Sequence, residues 1–194
     1  MTDTILFIVI LLIVMIAFTY RDYAVNRRDV YLLRAGLLFT LAADVCLLLI
    51  HEIDFGLMFF ICVQTIYIIR HLSARPIAFI SIPVLLCLFF LLSFTTLNLM
   101  YRLAVVYACA LSASTLFAYL NRKVYPYPNR ILVPLGMLLF LLCDINVMLF
   151  HELPNNSFAG SVAWVFIWIF YLPSQVLLAL SGAKFRGGFI NETK

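Results

Sequence analysis

The chain has 194 residues, of which 65% are hydrophobic and 11% charged, and its mean hydropathy is +1.10. A soluble domain is nearer half apolar and a quarter charged, so this composition excludes an ordinary soluble protein. Long continuous apolar runs indicate membrane helices and exclude a β-barrel. No polar stretch is long enough to fold alone, so we expect a single transmembrane domain over residues 1–194. The net charge of +4 is a topology signal and gives no indication of nucleic-acid binding.

Seven apolar runs are long enough to be transmembrane helices, and the sequence therefore predicts an all-α, polytopic fold. In chain order they cover approximately residues 5–20, 31–50, 55–69, 77–93, 99–120, 131–150 and 157–180. The two longest polar connections between them are RDYAVNRRDV (21–30) and NRKVYPYPNR (121–130).

Positive charge is distributed unequally between the two sides of the predicted membrane. Every Lys and Arg except Arg102 falls on one side, whereas Glu52, Asp54 and Glu152 fall on the other. Because cytoplasmic loops carry an excess of Lys and Arg, the basic side is predicted to be cytoplasmic. We therefore expect an integral protein of a bacterial inner (plasma) membrane, with its N-terminus outside and its C-terminus in the cytoplasm. The oligomeric state is not indicated.

One segment of the chain occurs twice. Residues 36–52 read GLLFTLAADVCLLLIHE, and residues 136–152 read GMLLFLLCDINVMLFHE. A constant offset aligns the glycine, the aspartate and the terminal His-Glu of the two copies. Both copies run from the inside to the outside in the predicted topology, so the repeat is parallel, with copies at about 31–70 and 131–181.

Each copy places one aspartate, Asp44 or Asp144, inside an apolar helix. A charged side chain at the centre of a bilayer costs ~2.5–3.5 kcal/mol on insertion scales and is usually functional. The two residues lie at equal depth, seven residues or ~10 Å from the outer end of their helices, and face a common cavity in this interpretation. A buried pair of carboxyl groups is suited to acid–base catalysis, with one protonated and one ionised. The alternative is two structural aspartates bonded to neighbouring hydroxyl or amide groups.

The repeated His-Glu pairs raise the possibility of a metal site. Adjacent residues on a helix point in different directions, however, and an HExxH arrangement is absent. We therefore predict no metal and no cofactor, and assign His51 and His151 to the interface or to substrate contact. The five cysteines lie in apolar runs without ligand spacing and are interpreted as packing residues.

Several other polar side chains lie inside the predicted helices and are candidates for substrate binding. Two of them, Gln64 and Gln175, lie deeper than the aspartates and could bind a polar part of the substrate or connect helices by hydrogen bonds. With the two histidines, the predicted substrate-binding set is Gln64, Tyr67, Tyr107, Asn146, Tyr171, Gln175, His51 and His151.

At these residues the chain resembles the YhhN-like family of membrane proteins, which includes lysoplasmalogenases. GLLFTLAADVCLL is similar to the family motif G-L-L-F-S-x-x-G-D-x-x-L, and QTIYI is similar to H-x-x-Y-I with Gln64 in place of His. A later S-D motif is matched with Cys143 before Asp144, and A-Q-x-L is matched by SQVL with Gln175 retained. The resemblance covers about residues 31–181.

The resemblance implies hydrolysis of the vinyl-ether bond of a lysoplasmalogen or similar lysophospholipid, giving a fatty aldehyde and a glycerophospho-headgroup. One aspartate would act as the acid and the other as the base, and no cofactor is implied. A different class of function remains open from the residues themselves. A proton-coupled transporter or a lipid-binding membrane protein could use the same aspartate pair.

Overall fold

The computed structural model describes residues 2–20, 22–72, 80–154 and 157–185. These residues form α-helices without any β-strand. In chain order the helices are α1 (Thr2–Thr19), α2 (Arg27–Asp44), a π-helix (Val45–Ile50), α3 (Ile53–His71), α4 (Ser81–Leu92), α5 (Leu99–Leu120), a short 3₁₀-helix (Arg122–Val124), α6 (Asn129–Glu152) and α7 (Phe158–Leu180).

Five of these segments are long and apolar enough to cross a membrane: Arg27–Ile50, which joins α2 to the π-helix, and α3, α5, α6 and α7. The predicted fold class, an all-helical membrane protein, is therefore confirmed. The α1 and α4 helices are apolar but shorter, and α4 has only 12 residues. At 1.5 Å per residue α4 extends ~18 Å, less than the ~30 Å hydrocarbon core of a bilayer. The prediction of seven membrane spans thus stays a prediction for these two helices, and residues 77–79 of the predicted fourth span lie outside the described residues.

Polar caps explain where several helices begin. The Asn26 side-chain oxygen accepts a hydrogen bond from the Asp29 amide at 2.9 Å, so α2 begins at Arg27, earlier than the apolar run alone predicts. The side chains of Asn98 and Ser157 cap α5 and α7 in the same way.

The surface of the bundle is apolar, while its interior contains polar groups. Leu86, Phe90 and Met148 are each more than 60% exposed, whereas Gln64 and Gln175 are completely buried. This is the reverse of the arrangement expected in water, and it matches a protein whose outer surface faces lipid.

Two helical hairpins organise the bundle, and each contains a close contact at a glycine. The α2 helix packs along α3, and α6 packs along α7, while α3 also packs along α5. A Cβ atom on Gly36 would lie 2.5 Å from the ring of Tyr67 in α3, and one on Gly136 would lie 3.0 Å from Leu178 in α7. Small residues at these positions let the helix backbones approach each other, as is common in membrane bundles.

A buried polar network closes the end of the bundle at which α2 begins and α3 and α7 end, which we call the basic end. Arg70 donates to both carboxylate oxygens of Asp29 at 2.9 and 3.1 Å and to the Ser181 hydroxyl at 3.1 Å. The Asn129 amide donates to the carbonyl oxygens of Ser181 and Ala183. These bonds connect α2, α3, α6 and the chain after α7, so they hold the hairpins together at this end.

Candidate functional site

The first predicted catalytic residue, Asp44, is the last residue of α2 and is 4% exposed. The Tyr171 hydroxyl of α7 donates a 2.6 Å hydrogen bond to the Asp44 carboxylate. Burying a carboxyl group without a partner costs its full desolvation free energy. The hydrogen bond from Tyr171 compensates part of that cost and so stabilises Asp44 in the interior. The residue that satisfies Asp44 therefore comes from the other hairpin.

The second predicted catalytic residue, Asp144, lies in the interior of α6 and is partly buried. Its carboxylate accepts a hydrogen bond from the Tyr107 hydroxyl of α5. Each aspartate thus has one tyrosine partner from outside its own hairpin: Tyr171 of α7 for Asp44, and Tyr107 of α5, which precedes the α6–α7 hairpin, for Asp144.

The two aspartate–tyrosine pairs lie near each other in the interior of the bundle. The carboxyl groups of Asp44 and Asp144 lie near each other, and Cys143 lies near both. Two phenylalanines, Phe60 and Phe140, fill the space between the tyrosines: ring centroids are 5.5 Å apart for Tyr107–Phe60, 5.8 Å for Phe60–Phe140 and 5.9 Å for Phe140–Tyr171. The result is a pair of carboxyl groups in a largely aromatic interior, which excludes bulk water from most of their surface.

Two buried glutamine side chains lie next to these pairs. The Gln64 oxygen accepts a 2.6 Å hydrogen bond from the Ser114 hydroxyl, and the Gln64 side chain lies beside the Tyr107 hydroxyl. Gln175 lies one helical turn beyond Tyr171 on α7. The Gln64 Nε2 atom, both polar atoms of the Gln175 amide and the Ser174 hydroxyl have no hydrogen-bond partner among the described residues. Such groups are normally satisfied, so they are available to a polar ligand.

The remaining predicted binding residues are placed differently. Tyr67 is fully buried against Gly36 and near the ring of His71, at the contact between α2 and α3. The Asn146 amide donates to the Leu142 carbonyl oxygen of its own helix at 2.8 Å. Neither side chain is hydrogen-bonded to an aspartate, and the buried Tyr67 hydroxyl has no hydrogen-bond partner among the described residues. Their assignment to substrate binding stays a prediction.

Both predicted histidines lie at the end of the bundle opposite the basic end. His51 and His151 are exposed, and neither is hydrogen-bonded to an aspartate. Within the described residues no group of three or more His, Cys, Asp or Glu side chains is arranged to hold a metal ion. The histidines are placed where they can contact headgroups or a substrate entering from that end.

Three residues of this site are outside the predicted set. Ser114 lies seven residues after Tyr107 and hence on the same face of α5, which was the available signal. Phe60 and Phe140 gave no signal, because an apolar residue between two polar ones is indistinguishable from ordinary core until the helices are placed.

Comparisons with known proteins are consistent with the motifs found in the sequence. A family model described as the YhhN family matches residues 4–182. The match covers most of the chain and includes all the aspartate, tyrosine and glutamine residues of the site, so the predicted family resemblance is confirmed. No curated protein and no solved structure matches the chain.

Proposed function

The chain belongs to the YhhN family, and from that premise we propose that it is an integral membrane hydrolase of lysolipid-like substrates. In this proposal it cleaves a vinyl-ether bond and releases a fatty aldehyde and a glycerophospho-headgroup. The observation that carries the proposal is the pair of neighbouring carboxyl groups, Asp44 and Asp144, each hydrogen-bonded to a tyrosine in an apolar interior. Paired carboxyl groups in such surroundings are suited to acid–base chemistry.

The proposed reaction proceeds through an oxocarbenium ion. One aspartic acid gives its proton to the vinyl carbon distant from the ether oxygen, and the carbon bonded to that oxygen becomes the cation. The other aspartate, ionised, stabilises the cation and takes a proton from a water molecule as the water attacks it. The hemiacetal then breaks its bond to the glycerol oxygen, which receives the proton that the second aspartate took from water. The hemiacetal hydroxyl gives its proton to the first aspartate as the aldehyde is released, so both carboxyl groups return to their starting states. One water molecule is consumed, and no electrons are transferred to or from the protein.

The tyrosines act as positioning residues in this proposal. The Tyr171 and Tyr107 hydroxyls each fix the orientation of one carboxyl group. A carboxyl group held in one orientation loses less entropy when it reaches the reacting carbon, which is the general benefit of a preorganised site.

The glutamines support the binding of a polar part of the substrate. Gln64 and Gln175 present unpartnered amide atoms in the interior close to the tyrosines. They are uncharged, so they suit hydroxyl or ester oxygens better than a bare phosphate. We assign them to the glycerol portion of the lysolipid, adjacent to the ether that is cleaved.

The test is product analysis with purified protein in detergent. A vinyl-ether lysolipid should release aldehyde, whereas the matched lysolipid with a saturated alkyl ether should not, because it has no vinyl carbon to protonate. Chelators should leave turnover unchanged, since the dyad uses no metal. Absence of aldehyde from a panel of vinyl-ether lysolipids with different headgroups would reject the hydrolase.

The alternative is a proton-coupled transporter or a lipid-binding membrane protein that uses the same pair. Buried carboxyl groups near unpartnered amides on α3 and α7 are compatible with a path for protons or polar solutes. A transporter requires a sealed membrane, so activity in detergent micelles distinguishes the hydrolase from this alternative.

We further propose that the basic end faces the cytoplasm of a bacterial inner membrane, because Lys and Arg are concentrated in the loops of that side. A protease-cleavable tag after Lys194 should be protected in intact spheroplasts and cut after lysis. Cleavage of the tag in intact spheroplasts would reverse the orientation.

A further inference from the structure

A small cavity opens at the basic end, away from the aspartate pair. It has a volume of about 40 Å³ and lies between the start of α2, the end of α3 and the connection from α5 to α6. Asn26, Arg28, Asp29, Arg70 and Tyr125 are among the residues that line it. The residues at its mouth, Asn26 and Arg28, are exposed, so the cavity is accessible from outside the bundle.

Arg70 supplies a buried donor to this cavity. Its side chain is completely buried, and its Nε and Nη2 atoms donate to Asp29 and Ser181. The Nη1 atom has no hydrogen-bond partner among the described residues. A guanidinium nitrogen that is both buried and unpaired is costly, and an anionic oxygen is the partner that compensates it best.

The charge of the cavity lining is positive. Both carboxylate oxygens of Asp29 accept hydrogen bonds from Arg70, so these two charges balance each other. Arg28 is a third charged residue of the lining and forms no ion pair among the described residues. Two arginines and one aspartate leave a net charge of one positive unit, which favours an anion.

The start of α2 adds further donors at the same place. The side chain of Asn26 caps the Asp29 amide, while the preceding amides of Arg27 and Arg28 belong to the first turn, whose N–H groups have no partner within the helix. These N–H groups and the positive end of the helix dipole attract anions. The anion-binding character of the helix start and the unpaired nitrogen of Arg70 are independent observations, and they converge on one cavity.

Tyr125 completes the lining. Its hydroxyl is hydrogen-bonded to the His71 Nδ1 atom at 3.1 Å, which fixes the position of the ring. Its ring lies 5.5 Å from the Arg70 guanidinium, which holds that side chain in place.

We propose that this cavity binds a phosphate-type oxyanion, either the phosphate of an anionic lipid headgroup or free phosphate. A water molecule needs ~10–15 Å³ of such a cavity, so its 40 Å³ accommodates about three to four water-sized groups, comparable to the oxygens of one phosphate. Asp29 lies 15 residues before Asp44 on the same helix, which corresponds to about 22 Å. Only a glycerol unit separates the phosphate of a lysolipid from its ether bond, so the bound phosphate belongs to a second molecule and not to the substrate at the aspartates.

The experiment measures the melting temperature of the full chain in a neutral detergent. One arm adds inorganic phosphate at constant ionic strength, with chloride as the control for screening. The other arm adds phosphatidylglycerol to the micelles, with diacylglycerol of the same chains as the control without phosphate. Stabilisation by inorganic phosphate identifies a soluble anion, whereas stabilisation by phosphatidylglycerol alone identifies a lipid headgroup.

Two neighbouring arginines provide the matched variants. Arg28→Ala removes a residue that lines the cavity, and Arg27→Ala removes an exposed arginine of the same turn that does not. Arg28→Ala should lower the affinity for the stabilising phosphate compound roughly tenfold or more, because one charged hydrogen bond is lost. The Arg27→Ala variant should bind that compound as the wild type does. Equal responses of the two variants, or no response of the wild type to either phosphate source, would overturn the proposal. None of these measurements depends on turnover, so the result is independent of the proposed hydrolase activity.

Discussion

The two copies of the repeated segment share a glycine, an aspartate and a terminal His-Glu, yet they fold differently. In the second copy α6 continues as a regular α-helix through His151 and ends at Glu152. In the first copy the α-helix ends at Asp44 and a π-helix follows over Val45–Ile50. His51 then adopts a left-handed backbone conformation with φ of 61°.

The connection to the next helix explains this difference. The chain reverses between Ile50 and Ile53, where α3 begins, so only two residues make the turn. Leu47 of the π-helix packs directly against Gly56 of α3, and a Cβ atom on Gly56 would lie 2.6 Å from Leu47. In the second copy Leu153–Ser157 gives a longer connection, so α6 can end without a wide turn.

The spacing of seven residues between the aspartate and the histidine has a different structural consequence in each copy. Residues seven apart share a face only if the helix keeps 3.6 residues per turn. The π-helix over Val45–Ile50 has a wider turn, so a spacing of seven residues does not place Asp44 and His51 on one helix face. Short π segments are frequent at functional sites, and this one begins directly after the buried aspartate. Equal sequence spacing therefore produced two unequal environments, one fully buried and one partly buried.

The largest expected effect tests whether the two aspartates act as a unit. Asp44→Asn and Asp144→Asn should each lower kcat about 10²–10⁴-fold, because each removes one partner of the acid–base pair. The double variant should be little worse than either single variant, and wild-type turnover should pass through a maximum with pH. Turnover per folded molecule is measured by aldehyde release, with thermal melts as the control for folding. Near-native turnover in either variant rules out the dyad and moves the search to Gln64 and Gln175.

Substitution of the two tyrosine partners tests whether the different burial of Asp44 and Asp144 affects catalysis. Tyr171→Phe should lower kcat by roughly tenfold or more, since a hydrogen bond to a charged group contributes about 1.5–3 kcal/mol. Tyr107→Phe should have a smaller effect, because Asp144 is only partly buried and water can replace the lost donor. The measurement is kcat and KM for both variants under the same conditions. Equal losses would show that the two environments are equivalent in function.

Replacing the two repeated glycines by alanine should change the stability of the fold by different amounts. Gly36→Ala should destabilise the fold by about 1–3 kcal/mol, because its Cβ would overlap the ring of fully buried Tyr67. Gly136→Ala should be close to neutral, since its contact with Leu178 requires a small adjustment and alanine gains about 1 kcal/mol of helix propensity. Thermal melts of the two variants in detergent decide this. A Gly136→Ala variant that is the less stable of the two would contradict the comparison.

The smallest expected effect has opposite signs in the two copies. His51→Gly should stabilise the protein by roughly 0.5 kcal/mol. Glycine removes the cost of a left-handed backbone at this residue, and that gain exceeds the additional backbone entropy that glycine loses on folding. His151→Gly should destabilise by a similar amount, because it places glycine in the last turn of a regular helix. The paired shift in melting temperature measures both. Shifts of the same sign would mean that the left-handed turn at His51 is not strained.

The local properties of this protein could be predicted from the sequence. Continuous apolar runs determine where helices form, and the observed bounds of α5 and α7 differ from the predicted ones by at most one residue. The two aspartates inside apolar helices and the YhhN family could also be predicted from the sequence, because an ionisable residue in an apolar run and a short motif are both contiguous features.

Only the tertiary structure decided what these residues contact. Tyr171 and Tyr107 reach their aspartates from 127 and 37 residues away, and Arg70 reaches Asp29 across 41 residues. Periodicity states which face of a helix is polar, but not how far that helix is rotated or which neighbour it meets. The π-helix after Asp44 was unpredictable for the same reason, since the widened turn results from a two-residue connection and from the packing of Leu47 on Gly56.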